Sequence, residues 1–317
     1  MSSIVTFPGF GLELSINRVA FNLFGHNIYW YGIIIACGFL LAVAFCYRKA
    51  PSLGLDPESL IDALFFGVPA AIVGARLYYI LFNLNFFRKE DGSLNFVQMV
   101  RIWDGGLAIY GGVIAALLTL LLFCKVRKIK FAPFADLLAF GLLIGQMIGR
   151  WGNFVNVEAY GSATTLPWRM GITEWVGGVN TYLEVHPTFL YESLWNLVGL
   201  CLLILIAKKW RKFDGQIFFS YLLWYGFGRG LIEGLRTDSL YLFGTSLRVS
   251  QLLGFASALV AAGFLVYHLF LKKHTAQELY VNRIPSKAGQ TDEMEVTNND
   301  TAGREDISGE DQDGTGV

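Results

Sequence analysis

Residues 28–47 read IYWYGIIIACGFLLAVAFCY, an apolar run of 20 residues without a charged side chain. A helix needs about 20 mostly apolar residues to cross the hydrocarbon core of a bilayer, so this run predicts a transmembrane helix. The whole chain has a matching composition, because 54% of its residues are hydrophobic and only 16% are charged. Soluble domains carry roughly 25% charged residues. The composition therefore excludes an ordinary soluble protein and predicts that the chain resides in a lipid bilayer.

Six further apolar runs of similar length follow the first. They span residues 61–84, 105–124, 133–150, 188–207, 216–235 and 249–271. Each is close to the length that a bilayer-crossing helix requires. The sequence therefore predicts an all-α polytopic membrane protein with about seven transmembrane helices, contained in a membrane domain of residues 1–273.

Three stretches outside these spans fall on the side of the membrane that holds the N-terminus. Residues 1–27 are expected to lie along the membrane surface, and residues 85–104 are expected to form a second arm. Residues 151–187 are too long for a turn. They are predicted to form a small extracytoplasmic head segment with a few short strands.

The chain has a net charge of zero, but its basic and acidic residues are unevenly distributed along the sequence. Residues 1–273 hold 22 basic and 15 acidic side chains, whereas residues 274–317 hold 3 basic and 10 acidic ones. The second segment has almost no large apolar residues, so it cannot bury enough surface to fold. Residues 274–317 are therefore predicted to be an acidic, disordered cytoplasmic tail.

Basic residues in the short loops predict the orientation, because Lys and Arg gather on the cytoplasmic side of membrane proteins. With the N-terminus outside, the dense basic clusters all fall on the cytoplasmic side. These clusters are Arg48 and Lys49; Lys125, Arg127, Lys128 and Lys130; Lys208, Lys209, Arg211 and Lys212; and Lys272 and Lys273. The sequence therefore predicts an extracytoplasmic N-terminus and a cytoplasmic C-terminus.

Unusual polar side chains collect at one level, near the extracytoplasmic ends of five predicted spans. They are Tyr31, Tyr110, Arg150, Glu192, Arg229 and Glu233, with Arg236 just beyond the sixth span. Charged groups inside a membrane are costly and usually functional. Guanidinium groups stay charged and grip phosphate oxygens in pairs. This pattern predicts a site for an anionic phospholipid headgroup, or for a phosphate that leaves in a displacement reaction.

Simpler explanations exist for each residue. Arg150 or Arg236 alone would be an interface anchor. Arg229 and Glu233 have the spacing of a structural i,i+4 ion pair. Tyr31 and Tyr110 suit an aromatic belt. The carboxylates are scattered and no histidine pair has ligand spacing, so no metal is expected.

Two other classes of function also place polar residues in spans. A secondary transporter or channel predicts charges near the midplane and duplicated broken helices, whereas these charges lie mostly outward and no repeat is visible. A non-catalytic lipid-binding scaffold would use the same residues as an enzyme. Lipid transfer by the purified protein separates these two alternatives.

A specific motif follows the fourth span, where residues 149–161 read GRWGNFVNVEAYG. This run resembles the signature of the bacterial prolipoprotein diacylglyceryl transferase family, GR-x-GNF-x-N-x-E-x-x-G. Further marks of the family occur in its usual order: YWYG at 29–32, GAR at 74–76, WDGG at 103–106, GG at 111–112, HP at 186–187, YE at 191–192 and R-x-x-x-E-x-x-R at 229–236. The resemblance covers roughly residues 10–270.

The resemblance implies a seven-span enzyme of the bacterial plasma membrane, the inner membrane where there are two. Such an enzyme moves the sn-1,2-diacylglyceryl group from phosphatidylglycerol to the lipobox cysteine thiol of a prolipoprotein signal peptide. A thioether forms and glycerol 1-phosphate is released, without a cofactor and without a nucleic-acid partner. By matching positions, the resemblance assigns catalytic roles to Tyr31, Arg150, Asn153 and Arg229. It assigns phosphatidylglycerol-binding roles to Arg150, Asn153, Glu158, Gly161, Arg229, Glu233 and Arg236.

One position departs from the family pattern. Many members carry His in the segment after the paired glycines, whereas this chain has Tyr110. A phenol with an unperturbed pKa near ~10 is a poor general base at neutral pH. We therefore expect Tyr110 to act in catalysis as a hydrogen-bond donor to the phosphate or glycerol oxygens. The group that removes the thiol proton is left open.

Overall fold

The computed structural model of the chain describes residues 2–89, 92–176, 179–242 and 245–283. Its eight α-helices are α1 (Trp30–Lys49), α2 (Pro57–Phe82), α3 (Phe96–Val100), α4 (Ile109–Val126), α5 (Phe131–Asn156), α6 (Thr188–Leu205), α7 (Gln216–Glu233) and α8 (Val249–Val266). Its six strands are β1 (Ser2–Phe7), β2 (Leu12–Asn17), β3 (Val19–Leu23), β4 (His26–Tyr29), β5 (Met170–Val176) and β6 (Val179–Val185). Both counts refer to the described ranges.

Seven of the helices are long, and they lie where the sequence predicts seven spans. Within the part of the chain that the structure describes, six are long and apolar enough to cross a membrane. The seventh, α7, has 18 residues, as α4 does, but it carries Arg229 and Glu233 and is less apolar. It packs against α5, α6 and α8. The predicted all-α polytopic membrane fold is confirmed, with a small sheet added to it.

The largest difference from the predicted spans is at the end of α5. The fourth span was expected to end at Arg150, but α5 continues six residues further, to Asn156. It ends there because Val157 adopts a left-handed conformation, with φ of 51°. Arg150 therefore lies inside a helix, roughly two turns before its end. The added turns carry Asn153 on the same helix.

Glycines allow the closest helix contacts. α2 packs along α4, and α7 packs along α8. A Cβ on Gly111 would lie 2.3 Å from the carbonyl oxygen of Gly74, and a Cβ on Gly226 would lie 2.6 Å from that of Gly254. Such close backbone approach is typical of membrane helices, whose association depends on van der Waals packing.

The head sheet contains two strands that the sequence did not predict. Its order is β2-β1-β5-β6, with antiparallel neighbours. β5 and β6 come from the predicted head segment, but β1 and β2 come from the N-terminal segment that was expected on the membrane surface. Val5 of β1 pairs with Ile172 of β5, and both are buried in a small core with Phe189 of α6. The N-terminal segment therefore completes the head.

Arg76 of α2 holds the second arm, residues 85–104, in place. It lies within the predicted second span, and the structure buries it below the arm, near the end of α2. Its guanidinium donates to the backbone carbonyls of Gln98, Met99, Arg101, Gly105 and Gly106. All five N–H donors of an arginine are thereby used. Arg76 is explained by this carbonyl cage without a substrate.

The first residues of the predicted tail pack against the helix bundle. They form two short 3-10 turns, Ala276–Glu278 and Tyr280–Asn282. The backbone N–H of Tyr280 donates to the Asp214 carboxylate, 3.0 Å from Oδ2. Order therefore extends beyond residue 273, and residues 284–317 lie outside the described part of the chain.

Candidate active site

Glu192 of α6 is the centre of a group of three arginines. Its carboxylate is 4% exposed. Arg150 of α5 forms an ion pair with Oε2 of Glu192. Arg229 of α7 donates from Nη1 to Oε1 over 3.1 Å, and Nη1 of Arg236 lies 3.6 Å from the same oxygen. One buried carboxylate therefore joins α5, α6 and the end of α7.

Glu233 is a second buried carboxylate, with 1% exposure. Its Oε2 lies 2.5 Å from Nη2 of Arg229 and 3.9 Å from Nε of Arg236. Arg236 also donates to both oxygens of Asp238, over 2.9 and 2.6 Å. The hydrogen bond from Arg236 holds the pKa of the Asp238 carboxyl below its ordinary value. The structural i,i+4 ion pair between Arg229 and Glu233, which the sequence suggested as a simpler explanation, is present. It belongs to a larger network of ion pairs.

The arginine cluster is defined as Arg150, Arg229 and Arg236 with Glu192 and Glu233. Three guanidinium groups face two buried carboxylates, and Asp238 balances Arg236 from the surface. A buried charge without a partner is costly. The side chains of Arg150 and Arg229 remain 19% and 16% exposed, so both can be reached. Each of the two pairs with a buried carboxylate, and an anion can contact them from the exposed side.

A hydrogen-bonded chain leads from the arginine cluster to a cavity. Nη1 of Arg150 donates to Oδ1 of Asn153 over 3.2 Å. Nδ2 of Asn153 donates to Oε1 of Glu158 over 2.9 Å, and Nδ2 of Asn156 donates to the same oxygen over 3.2 Å. The last turns of α5 therefore orient Arg150 from one side, while Glu192 orients it from the other.

The headgroup cavity, as we call it, has a volume of about 750 Å³ and lies between the start of α1 and the end of α5. It is lined by Arg18, Asn27, Ile28, Tyr29, Tyr31, Gly32, Ile33, Ala36, Asn156 and Glu158. The Tyr31 ring packs on α5, since a Cβ on Gly152 would lie 2.8 Å from it. The volume falls within the roughly 300–1,000 Å³ usual for small-molecule sites.

Gly161 lies beside the backbone of Arg236. The two residues form an isolated β-bridge, and the Gly161 N–H donates to the His186 carbonyl over 2.9 Å. A Cβ at Gly161 would lie only 2.7 Å from the Cβ of His186. Gly161 therefore contributes to the site by fixing the backbone position of Arg236.

Most of the predicted site residues are brought together by these contacts. The connected group contains Arg150, Asn153, Glu158, Glu192, Arg229, Glu233 and Arg236. Tyr31 and Gly161 border it. Tyr110 does not join it: it lies in the first turn of α4, is 42% exposed, and within the described ranges no hydrogen bond, ion pair or ring contact connects it to the arginine cluster. Its catalytic role stays a prediction.

Sequence reasoning missed Tyr225, which also faces the arginine cluster. This tyrosine lies close enough to Arg150 and Arg229 to interact with both electrostatically. It stacks on Tyr221 of the same helix, with ring centroids 5.5 Å apart. The sequence held a signal, because Tyr221, Tyr225, Arg229 and Glu233 follow one another at i,i+4 spacing on one face of α7.

The chemistry of the arginine cluster suits a phosphate that gains charge during a reaction. Fixed guanidinium groups in a partly buried site stabilise such charge without reorganising. Within the described ranges, no group of three or more His, Cys, Asp or Glu side chains is arranged to hold a metal ion.

Comparison with known proteins places this chain in a family. A family model described as prolipoprotein diacylglyceryl transferase matches residues 18–267. The chain is 41% identical over 264 residues to the phosphatidylglycerol–prolipoprotein diacylglyceryl transferase of Lysinibacillus sphaericus, which covers 81% of this chain and 93% of the relative. It is 42% identical over 258 residues to the enzyme of that name from Finegoldia magna, with 81% and 97% covered. The corresponding Enterococcus faecalis protein is 45% identical over 253 residues, with 77% and 89% covered. The chain therefore belongs to the prolipoprotein diacylglyceryl transferase family.

Proposed function

We propose that this protein transfers the sn-1,2-diacylglyceryl group of phosphatidylglycerol to the lipobox cysteine thiol of a prolipoprotein, and releases glycerol 1-phosphate. Its relatives are named phosphatidylglycerol–prolipoprotein diacylglyceryl transferases. The observation that carries the proposal is the arginine cluster, with its two accessible guanidinium groups and its hydrogen-bonded connection to the headgroup cavity. A phosphodiester headgroup is an anion whose oxygens suit the planar fork of a guanidinium group.

In the proposed reaction, the thiolate sulfur attacks the glyceryl carbon that carries the phosphate. The C–S bond forms while the C–O bond to phosphate breaks, and the leaving phosphate oxygen keeps the electron pair. Arg150 and Arg229 hold the phosphate oxygens and stabilise the charge that grows on the leaving oxygen. Arg236 and Glu233 keep Arg229 in position.

The remaining predicted residues have supporting roles in this proposal. Asn153 and Glu158 fix the Arg150 guanidinium, and the Glu158 carboxylate can accept a hydrogen bond from the headgroup glycerol. Tyr31 offers a hydroxyl on the wall of the headgroup cavity. The β-bridge between Gly161 and Arg236 fixes the backbone position of Arg236. Tyr110 is assigned a donor role toward phosphate or glycerol oxygens, on sequence grounds.

The nucleophile belongs to the peptide substrate. A thiol with pKa near ~8.5 already contains some thiolate at neutral pH, and nearby positive charge increases that fraction. We therefore propose that the field of the arginine cluster favours the thiolate and that no cofactor takes part. No strong base is then needed, because the thiol loses its proton to water before the attack.

We further propose a plasma-membrane location with the arginine cluster toward the extracytoplasmic side. This orientation is supported by the dense Lys and Arg clusters in the loops at the opposite ends of the helices. The acidic segment 274–317 would then be cytoplasmic.

A defined assay tests the function directly. Purified protein is mixed with phosphatidylglycerol and a synthetic peptide that contains a lipobox cysteine. We expect the peptide mass to rise by one diacylglyceryl group, and glycerol 1-phosphate to appear in equal amount. A peptide with serine in place of the cysteine is the control and should stay unmodified. A protein that binds phosphatidylglycerol but leaves the cysteine peptide unmodified would be a lipid-binding scaffold instead.

A further inference from the structure

The contact between α6 and α7 is narrow, yet it carries the ion pair between Glu192 and Arg229. α6 packs mainly along α5, whereas α7 packs mainly along α8. A slip of α6 against α7 by one residue moves each side chain by about 1.5 Å along the helix axis. Such a slip would draw the Glu192 carboxylate away from the Arg229 guanidinium. The register of these two helices therefore matters for the site.

Trp195 of α6 and Trp224 of α7 exchange hydrogen bonds across this contact. Nε1 of Trp195 donates to the backbone carbonyl of Trp224 over 3.0 Å, and Nε1 of Trp224 donates to the backbone carbonyl of Trp195 over 2.9 Å. The two rings stack, with centroids 4.3 Å apart and an angle of 16° between their planes. Each helix is therefore bound to the backbone of the other by the same kind of contact. We call these two residues the tryptophan pair.

A glycine four residues after each tryptophan makes room for the ring of the other, so that both helices carry the pattern W-x-x-x-G. In an α-helix the carbonyl of residue i points toward residue i+4. A Cβ on Gly228 would lie 2.0 Å from Nε1 of Trp195, and a Cβ on Gly199 would lie 2.6 Å from Nε1 of Trp224. The two glycines therefore leave a backbone carbonyl open to an indole N–H, and a carbonyl oxygen can accept this second hydrogen bond.

An aromatic belt does not explain the tryptophan pair. Belt tryptophans lie at the membrane–water interface, where their polar edge reaches the headgroups. Trp195 lies about 11 Å along α6 from its first residue, and Trp224 lies about 14 Å along α7 from its last residue. Both indole N–H groups donate to a neighbouring helix at this depth. An N–H group without an acceptor is costly in hydrocarbon, so each bond resists a slip of the helices.

The tryptophan pair lies next to the arginine cluster. Glu192 precedes Trp195 by three residues, which places the two side chains on one face of α6. Arg229 directly follows Gly228, the glycine on which the Trp195 ring packs. The hydrogen bonds that fix the register are thus about one helical turn from the ion pair that depends on it.

We infer that Trp195 and Trp224 are positioning residues for the transfer reaction. Their reciprocal hydrogen bonds fix the register of α6 against α7, and this register keeps Glu192 in contact with Arg229. The inference rests on the proposed function, since that function requires the Arg229 guanidinium to hold a phosphate. The tryptophans act through Glu192 and Arg229. A displacement of about 1 Å at a reacting group can lower a rate by roughly 100-fold.

Trp195→Phe and Trp224→Phe each remove one indole donor and keep an aromatic ring. Trp210→Phe is the matched control, because Trp210 is 56% exposed in the helical turn that follows α6, away from the arginine cluster. In the lipobox-peptide assay, kcat should fall roughly 10- to 100-fold for the first two variants, with a smaller change in the KM for phosphatidylglycerol. The control should keep the wild-type kcat. Control values of kcat for both variants of the tryptophan pair would overturn the inference.

The action through Arg229 is tested by repeating Trp195→Phe in the Arg229→Lys background. The guanidinium fork is already absent there, so Trp195→Phe should lower kcat by no more than about twofold further, a non-additive effect. A general loss of structure would not depend on the residue at position 229. A decrease as large in this background as in the wild type would therefore overturn the inference.

The register itself is measured without reference to activity. Spin labels are attached through Leu202→Cys in α6 and Leu231→Cys in α7, two exposed positions, in a variant whose four native cysteines are replaced by alanine. Electron paramagnetic resonance gives the distance between the labels. Trp195→Phe should shift or broaden the distance distribution by about 1–2 Å, roughly one residue of helical rise. Trp210→Phe should leave it unchanged.

The two measurements together separate the two possible failures. A distance distribution that Trp195→Phe leaves unchanged would overturn the inference, whatever the transfer rate. A wild type that transfers no lipid, while its distance distribution responds to Trp195→Phe, would overturn the proposed function. In that case the tryptophan pair would still fix the register of α6 against α7.

Discussion

Two buried carboxylates hold three guanidinium groups in place before any substrate is present. Glu192 contacts Arg150 and Arg229 directly, and Glu233 contacts Arg229 from the following turn of α7. Such preorganisation lets fixed charges stabilise a transition state without first reorienting. The orientation of each guanidinium group therefore matters for binding. Each group must contact a carboxylate of the cluster and still present N–H donors to a substrate.

Arg150→Lys and Arg229→Lys should each lower the transfer rate by roughly 30- to 1000-fold, although the positive charge is kept. An ammonium group cannot hold a carboxylate and a phosphate with the planar fork of a guanidinium. The matched control is Arg169→Lys, which changes an arginine paired with Glu184 in the head sheet at 2.5 Å. The control should keep near wild-type transfer. Near wild-type rates for both cluster variants would favour simple charge anchoring.

Tyr110 is tested by comparing Tyr110→Phe with Tyr110→His between pH 6 and 9. A missing hydrogen-bond donor should impair Tyr110→Phe at every pH, whereas imidazole can supply a donor and should keep substantial transfer activity. The expected loss for Phe is about tenfold, the value of one net hydrogen bond. Among the described residues, no contact connects Tyr110 to the arginine cluster, so this outcome is decisive. Wild-type rates for Tyr110→Phe throughout the pH range would make Tyr110 an aromatic-belt residue.

At the scale of elements, α5 organises both ends of α7. Near one end Arg150 of α5 reaches Glu192, which in turn holds Arg229 of α7. Near the other end Asp136 of α5, fully buried, accepts from the backbone N–H groups of Gly215 and Phe218, over 2.8 and 2.9 Å. A helix leaves its first N–H groups without internal partners. Asp136 therefore caps α7 from a neighbouring helix and fixes its axial position.

Asp136→Ala should destabilise the protein by about 2–4 kcal/mol, because two buried backbone donors lose their acceptor. The measurement is thermal unfolding in detergent. Asp62→Ala is the matched control, since Asp62 pairs with Arg127 at a site where the two side chains are 43% and 54% exposed. An exposed pair of this kind contributes about 0–1 kcal/mol. Equal destabilisation by the two variants would show that Asp136 does not act as a cap.

At the scale of the whole molecule, the sequence predicted what depends on local composition. Apolar runs located the seven long helices, and the level of the polar residues along their spans anticipated the arginine cluster. The pairing of β1 with β5 was not predictable, because the partners Val5 and Ile172 are far apart in sequence and nothing in the N-terminal segment specifies its partner. The contacts of Arg76 were not predictable, because its partners are backbone carbonyls, which leave no trace in the side-chain sequence.

The orientation of the whole molecule is tested by cysteine labelling in intact cells. The background variant has its four cysteines, Cys37, Cys46, Cys124 and Cys201, replaced by alanine. Single cysteines are then introduced as Lys128→Cys, Lys209→Cys and Thr165→Cys, all at exposed positions. A membrane-impermeant thiol reagent should label Thr165→Cys alone, because basic loops stay on the cytoplasmic side. All three should react after the cells are permeabilised. Labelling of the two lysine positions in intact cells would reverse the orientation and place the arginine cluster on the cytoplasmic side.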